Sequence, residues 1–453
     1  MINGSLQSSV LHPTLAYAPP VVVKSDGLFH HTQDGRQILD ATGGAAVASV
    51  GHNHPRVKEA IIKQLDDVSY CYAQTFTTKS SEALTKLLTE STGGRMSKVF
   101  IVSSGTEAVE AALKLSRQYH TENSENQRVR FIARRQSYHG NTLGSLSVSS
   151  HTARKALYLP MLSTNVSHVS PCYPYRNMRP DETEGEHVAR LAAELEEEFQ
   201  RVGSATVCAF VVETVSGATL GAVAPLPGYM KAMKQVCERH GALFIMDEVM
   251  SGIGRTGTFH AWEQEEVVPD IQTVAKGLGG GYVPIGAVLV NQKVVDVLSK
   301  GSKMFSHSQT YQAHPLACAA ALAVQEVIRD EKLVDNVRKL GCSFGKMLKE
   351  RLDAHPNIGE VRGRGFLWAV EFVQDKCSKA PFPVSEKVAM GIHSLGLNKK
   401  HCVSLLPSSG TANGKDGDHV VLAPPYACTL QDLEDISDRT SRVIYEFFES
   451  RTR

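Results

Sequence analysis

Long apolar runs are missing from this chain, and so is any imbalance of charge. Its 453 residues hold 48 Lys and Arg against 47 Asp and Glu. No broad basic field is therefore on offer for nucleic acid, and there is no acidic tail. The most apolar stretch, Val207 to Met230, is interrupted by Glu213 and several glycines, so no segment reads as a membrane span. The first 23 residues carry no Arg, a single His (His12) and an early Pro pair, which fits neither a signal nor a transit peptide. The terminal SRTR is not a recognised peroxisomal address. Cysteine is present, but its nine copies are scattered, odd in number and without a CxxC pair. That argues against a disulfide framework and against zinc, and predicts reduced thiols and a cytoplasmic location. Internal repeats and low-complexity linkers are absent as well.

What is present is alternation. Short β-branched runs alternate with amphipathic helical patterns through the middle of the chain, as βαβ units of a parallel sheet do. Strands are expected at Val99–Val102, Arg130–Ala133, Val207–Val212, Leu243–Asp247 and Ile271–Ala275. Each ends beside residues with chemical potential, and in open α/β sheets ligands collect outside the carboxyl ends of strands. A helix is expected from Thr106 to about Tyr119, with Ser103 and Ser104 as caps. The acidic run Glu194–Glu198 reads as a solvated helix face. The fold class is α/β: a large doubly wound, mainly parallel domain over residues 60–325. A smaller α/β domain is built from residues 1–59, where HTQDGRQILD reads as a hairpin, and residues 326–453, opening with a long helix from Leu333 to about His355.

Three segments carry chemistry. In IMDEVMSGIGRTG (245–257) an apolar strand ends in Asp247 and Glu248. It could be a plain strand end with a capping carboxylate, but a carboxylate at the end of a buried strand is costly unless it meets a cation, and a protonated pyridine nitrogen is one. In PDIQTVAKGLGGGYVPIG (269–286), Lys276 follows a strand and precedes Gly277, Gly279, Gly280 and Gly281. Most strand-end lysines snorkel to the surface. Here the glycines are expected to leave room for a bulky cofactor, and a desolvated lysine favours its amine form. GLGGGY lacks the GxGxxG spacing of a dinucleotide site. In VFIVSSGTEAVEAALKLSR (99–117), Ser104, Gly105 and Thr106 lie where a strand runs into a helix N-terminus, a place suited to an anion such as phosphate.

These segments, in this order, resemble class III (fold type I) pyridoxal-phosphate-dependent aminotransferases. The similarity extends from LDATGGAAVASVGHNHP to LAPPYACTLQDLEDI. The resemblance implies pyridoxal 5'-phosphate carried on Lys276 as a Schiff base, with Asp247 facing the pyridine nitrogen and Val249 packed under the ring. It implies Ser104, Gly105 and Thr106 as the phosphate cradle and Tyr138 stacked on the ring. Glu213 corresponds to the acid near the phenolic side, although the Pro that usually follows it is Thr214 here. Thr310 resembles the threonine that reaches the neighbouring subunit's phosphate, which implies a homodimer. The implied reaction is ping-pong transfer of an amino group from an amine or amino acid to a carbonyl acceptor. Decarboxylation, racemisation and aminomutase chemistry share the fold, and a silent scaffold is the reading from another class. His139 reads as an ordinary satisfied histidine, and His52 and His54 as a structural turn, not a metal site. The Arg that grips an α-carboxylate in relatives is Val421 here, leaving Lys415 nearby and Arg176 as a stand-in. Arg362 and Arg364 either fix the small domain or touch substrate.

Overall fold

The computed structural model describes residues 8–452. Residues 1–7 and Arg453, which carry part of the two targeting readings, lie outside the described residues. Seven strands form the central sheet, in the spatial order Lys98–Val102, Gly286–Val290, Ile271–Val274, Leu243–Asp247, Val207–Glu213, Arg130–Arg134 and Val166–Val169. All run the same way except Gly286–Val290, which is antiparallel to both of its neighbours. The five expected strands lie within a residue or two of the predicted spans. Gly286–Val290 and the edge strand Val166–Val169 were not anticipated.

Period-two geometry explains why the two central strands are apolar throughout. Phe210, Val212, Phe244 and Met246 point to one face, into a cluster with Leu191, Leu195 and Phe199 of the helix Glu184–Val202 and Tyr229 and Met233 of the helix Tyr229–Arg239. Ala209, Val211, Leu243 and Ile245 point to the other, against Ala108, Val109 and Ala112 of the helix Gly105–Glu122. A strand covered on both sides has no polar face to show. The same parity then places Glu213 and Asp247, which are direct register partners, on the Gly105–Glu122 side at the strand ends. The acidic run in Glu184–Val202 is less free than expected: Glu194 pairs with Arg135 and Glu196 with Arg239 and His240.

Two smaller sheets flank this layer. The expected hairpin forms from Phe29–Thr32 and Gln37–Asp40, and the second of these pairs in parallel with Val403–Ser404 from near the C-terminus. Ile358–Arg364, Leu367–Asp375, Asp418–Leu422 and Leu406–Ser409 make an antiparallel sheet. The helix Leu333–Leu352 lies on that sheet so closely that a Cβ at Gly345 would stand 1.9 Å from Cη2 of Trp368. The indole cannot swing away, because its Nε1 donates to the Gly365 carbonyl at 2.8 Å. Gly345→Ala gains about 1 kcal/mol of helix propensity but forces an overpacking cost of about 1–3 kcal/mol. The clash is severe enough to win, so a lower thermal midpoint is expected by calorimetry; an unchanged or raised midpoint would show that the helix can slide.

Candidate active site

The carboxyl ends of five strands open onto one cavity of about 460 Å³. Its lining contains Ser104, Gly105, Thr106, Tyr138, Glu213, Asp247, Val249 and Lys276. All the predicted site residues except Thr310 are therefore brought together.

At one end stands the helix Gly105–Glu122. Ser104 caps it, accepting from the Glu107 amide at 3.2 Å, while Glu107 reaches back to accept from the Ser103 amide at 2.7 Å. The Gly105 and Thr106 amides remain free of intrahelical partners, as first-turn amides must. Gly105 can be only glycine, since a Cβ there would meet Val249 Cγ1 at 2.7 Å. Val249 is held by its own amide, which donates to Asp247 Oδ1 at 3.0 Å.

Asp247 is 5% exposed. Its Oδ1 also accepts from Thr273 Oγ1 at 3.2 Å, and its Oδ2 lies 2.8 Å from Nδ1 of His139. His139 is satisfied, as expected, yet its partner is the central carboxylate, and its buried Nε2 has no protein partner. It is the residue that sequence reasoning undervalued. The neighbouring Glu248 faces the opposite side of the strand and accepts from Thr214 Oγ1, the Ala261 and Trp262 amides and Gln272 Nε2. This accounts for Thr214: its hydroxyl holds Glu248 at 2.8 Å, and proline has no such group. Glu213 is fixed by the Tyr138 amide at 2.7 Å and the Gly217 amide at 2.8 Å.

Lys276 begins a single 3-10 turn directly after its strand, with φ of 46°. A non-glycine residue in the left-handed region costs on the order of 1 kcal/mol and persists only where surroundings impose it. Desolvation lowers its amine from the ordinary lysine value to about 8, against the pull of Asp247 and Glu213. The glycines behind it do not open space as expected. A Cβ at Gly279 would meet Ile285 at 2.7 Å and one at Gly280 would meet Val324 at 3.1 Å, while the Gly277 carbonyl accepts from Ser49 Oγ and Gln325 Nε2. They permit close packing beside the lysine, and Val215, Met250 and Leu406 line the cavity with it.

The remaining candidates are placed elsewhere. Arg176 is committed to Glu371 through Nε at 2.7 Å and to the Lys379 carbonyl, and does not line the cavity. Arg362 binds Glu360 and the same Glu371, and Arg364 binds Glu265, so both fix the structure. Val421 is fully buried among Ala46, Val215, Leu367 and Ala369. The two histidines of GHNHP diverge: His52 turns to Asp40 and His54 to Glu331. His30 joins His52 at Asp40, whose oxygens also accept from Thr42 and Gly44. Thr310 is exposed and outside the cavity of its own chain.

A doubly wound sheet with a lysine, a carboxylate and a helix N-terminus converging at its carboxyl edge defines an α/β transferase of fold type I. Residues 14–444 match the class-III aminotransferase family, and the chain belongs to it. An aminotransferase of Gibberella zeae is 47% identical, covering 98% of this chain and 87% of the relative. Gamma aminobutyrate transaminase 3 of Solanum lycopersicum is 36% identical over 92% of this chain and 79% of its own. A solved amine transaminase from an uncultivated Pseudomonas species, in its PLP-bound form, is similar with a TM-score of 0.90 at 31% identity, covering 98% and 99% of the two chains.

Proposed function

We propose that this chain binds pyridoxal phosphate through Lys276 and moves an amino group from an amine or amino acid donor to a keto acid or other carbonyl acceptor. The observation that carries this is the enclosure of Lys276, Asp247 and the Gly105–Glu122 N-terminus in one cavity. Those groups fit the cofactor: free helix amides suit its phosphate, a buried carboxylate suits its pyridinium, and an amine lowered to about 8 suits its aldehyde. The cofactor supplies an electron sink for charge developing at the donor Cα.

The chain's residues do the rest. Asp247 is held by Val249, Thr273 and His139, and with the cofactor bound its carboxylate would favour a proton on the ring nitrogen. Lys276 Nζ would hold the cofactor and, once a donor amine has displaced it, its freed amine would be the base that takes the proton from the donor Cα. Glu213 stands on the same cavity wall, oriented by two backbone amides. Thr310 is assigned to the neighbouring cofactor of a homodimer. Exposed Tyr70 and Tyr311 meet ring to ring beside it, and the Tyr70 hydroxyl donates to the Thr310 carbonyl at 3.0 Å. Sedimentation of the holoenzyme tests the dimer; a monomer at micromolar concentration sinks it. The division at residues 59 and 325 belongs to the same reading. A cytoplasmic location is supported by nine unpaired cysteines.

The function is tested by loading the protein with cofactor, recording the visible spectrum, and adding donors with no acceptor present. Bleaching of the visible band by particular donors, its return on adding a keto acid, and no release of carbon dioxide are expected. A protein that stays colourless overturns the cofactor assignment, while bleaching with carbon dioxide release moves the reading to decarboxylation.

A further inference from the structure

Most charged groups that face the cavity are already engaged. Asp247 is held by His139, Val249 and Thr273, Glu213 by two amides, and Lys276 is reserved for the cofactor. Arg154 is the exception. Its guanidinium lies 4.7 Å from the centroid of the Tyr138 ring and lines the same cavity. Among the described residues no carboxylate lies within ion-pair distance of it. Arg154 is exposed, and its contact with the ring face leaves its N–H groups free for a ligand.

Its surroundings supply no second free cation. Lys155, next in sequence, donates to the Ser147 and Ser149 carbonyls. His151 is pushed down to about 4 by burial and by Arg154 itself, so it is neutral at physiological pH. The loop containing Lys415 packs against this turn, where a Cβ on Gly414 would meet Thr152 Oγ1 at 2.7 Å, but Lys415 does not line the cavity. The same cavity is also lined by the apolar side chains of Val215, Met250 and Leu406.

From this arrangement we infer that Arg154 is the substrate-binding residue that receives the carboxylate of an amino acid donor and of the keto acid acceptor. The inference rests on the transaminase reading above and names the substrate class of that site. The apolar lining then faces the side chain of the amino acid, or accommodates an amine that has no carboxylate.

The test uses the cofactor-loaded full chain and the variants Arg154→Leu and Arg154→Lys. L-Alanine with 2-oxobutanoate is compared against 1-phenylethylamine with benzaldehyde. For Arg154→Leu, KM for alanine and 2-oxobutanoate is expected to rise about 10- to 100-fold, the loss of one charge-assisted double hydrogen bond. Their kcat and both amine-side parameters should stay within about threefold. Arg154→Lys should recover part of the affinity, because it keeps the charge and loses the fork. Equal changes for both substrate pairs, or none, overturn the assignment. So does a variant with a weaker hold on pyridoxal phosphate, which would give Arg154 to the cofactor. Wild-type protein that bleaches with the amine alone and is never restored by 2-oxobutanoate also overturns it, while leaving transamination standing. Wild-type protein that bleaches with no donor fails the transaminase reading itself.

Discussion

Lys276→Ala is expected to lower turnover by at least about 10⁴-fold, because one change removes both the cofactor's covalent anchor and the base that takes the Cα proton. The lysine side chain makes no hydrogen bond or ion pair that supports the fold, and alanine meets much the same left-handed backbone cost at φ 46°. Its desolvation also fixes the sign of the stability change. A base whose folded pKa is about 8, below the ordinary 10.5, contributes a penalty that is fully present below pH 8 and gone above about 10.5. At pH 7 the cofactor-free Ala variant should therefore melt at or above the temperature of cofactor-free wild type while being inactive. Methylamine added in excess should restore a fraction of the proton transfer. A variant that turns over within tenfold of wild type, or that is inactive because it has unfolded, would remove Lys276 from its role.

How much of this could be read beforehand depended on whether a residue's role follows from its own strand. The apolar runs ending at Asp247 and Glu213 are continuous because helices cover both faces, so their position was legible while their parity was not. Gly286–Val290 is equally apolar, but an apolar run carries no sign of its direction, and its antiparallel insertion stayed hidden. The glycines after Lys276 were expected to leave room for a cofactor, whereas they let Ile285, Val324 and Ser49 pack close to the backbone. His139 lines the cavity together with Tyr138, and nothing in its own sequence neighbourhood marks Asp247, 108 residues away, as its partner. Arg154 left no signal either. Its position depends on the turn between Ser149 and Lys155 coming back over Tyr138, a tertiary fact with no local pattern. Arg176 and Lys415 showed the converse, cations close to the expected region in sequence but turned away from the cavity.

Asp247→Asn should reduce kcat by about 10²- to 10³-fold, the scale of removing one preorganised group that stabilises developing charge, with weaker retention of the cofactor. Asparagine is nearly isosteric, so Oδ1 can still accept from the Val249 amide and from Thr273. The amide nitrogen, standing where Oδ2 faces His139, turns an acceptor into a donor and leaves no negative charge to hold a proton on the ring nitrogen. The fold should therefore survive while the electron sink is lost. Glu248 provides the control, since it is adjacent in sequence and equally buried but faces the other side of the strand. Glu248→Gln replaces one acceptor oxygen among four donors, from Thr214, Ala261, Trp262 and Gln272, and should lower the melting temperature while leaving kcat within a few fold. Burial pushes the Glu248 carboxyl up to about 7. Steady-state kinetics, cofactor dissociation and melting of the two variants side by side separate chemistry from scaffold. If Asp247→Asn keeps its kcat within threefold of wild type, or if Glu248→Gln is the variant that loses it, the carboxylate facing the ring nitrogen has been misassigned.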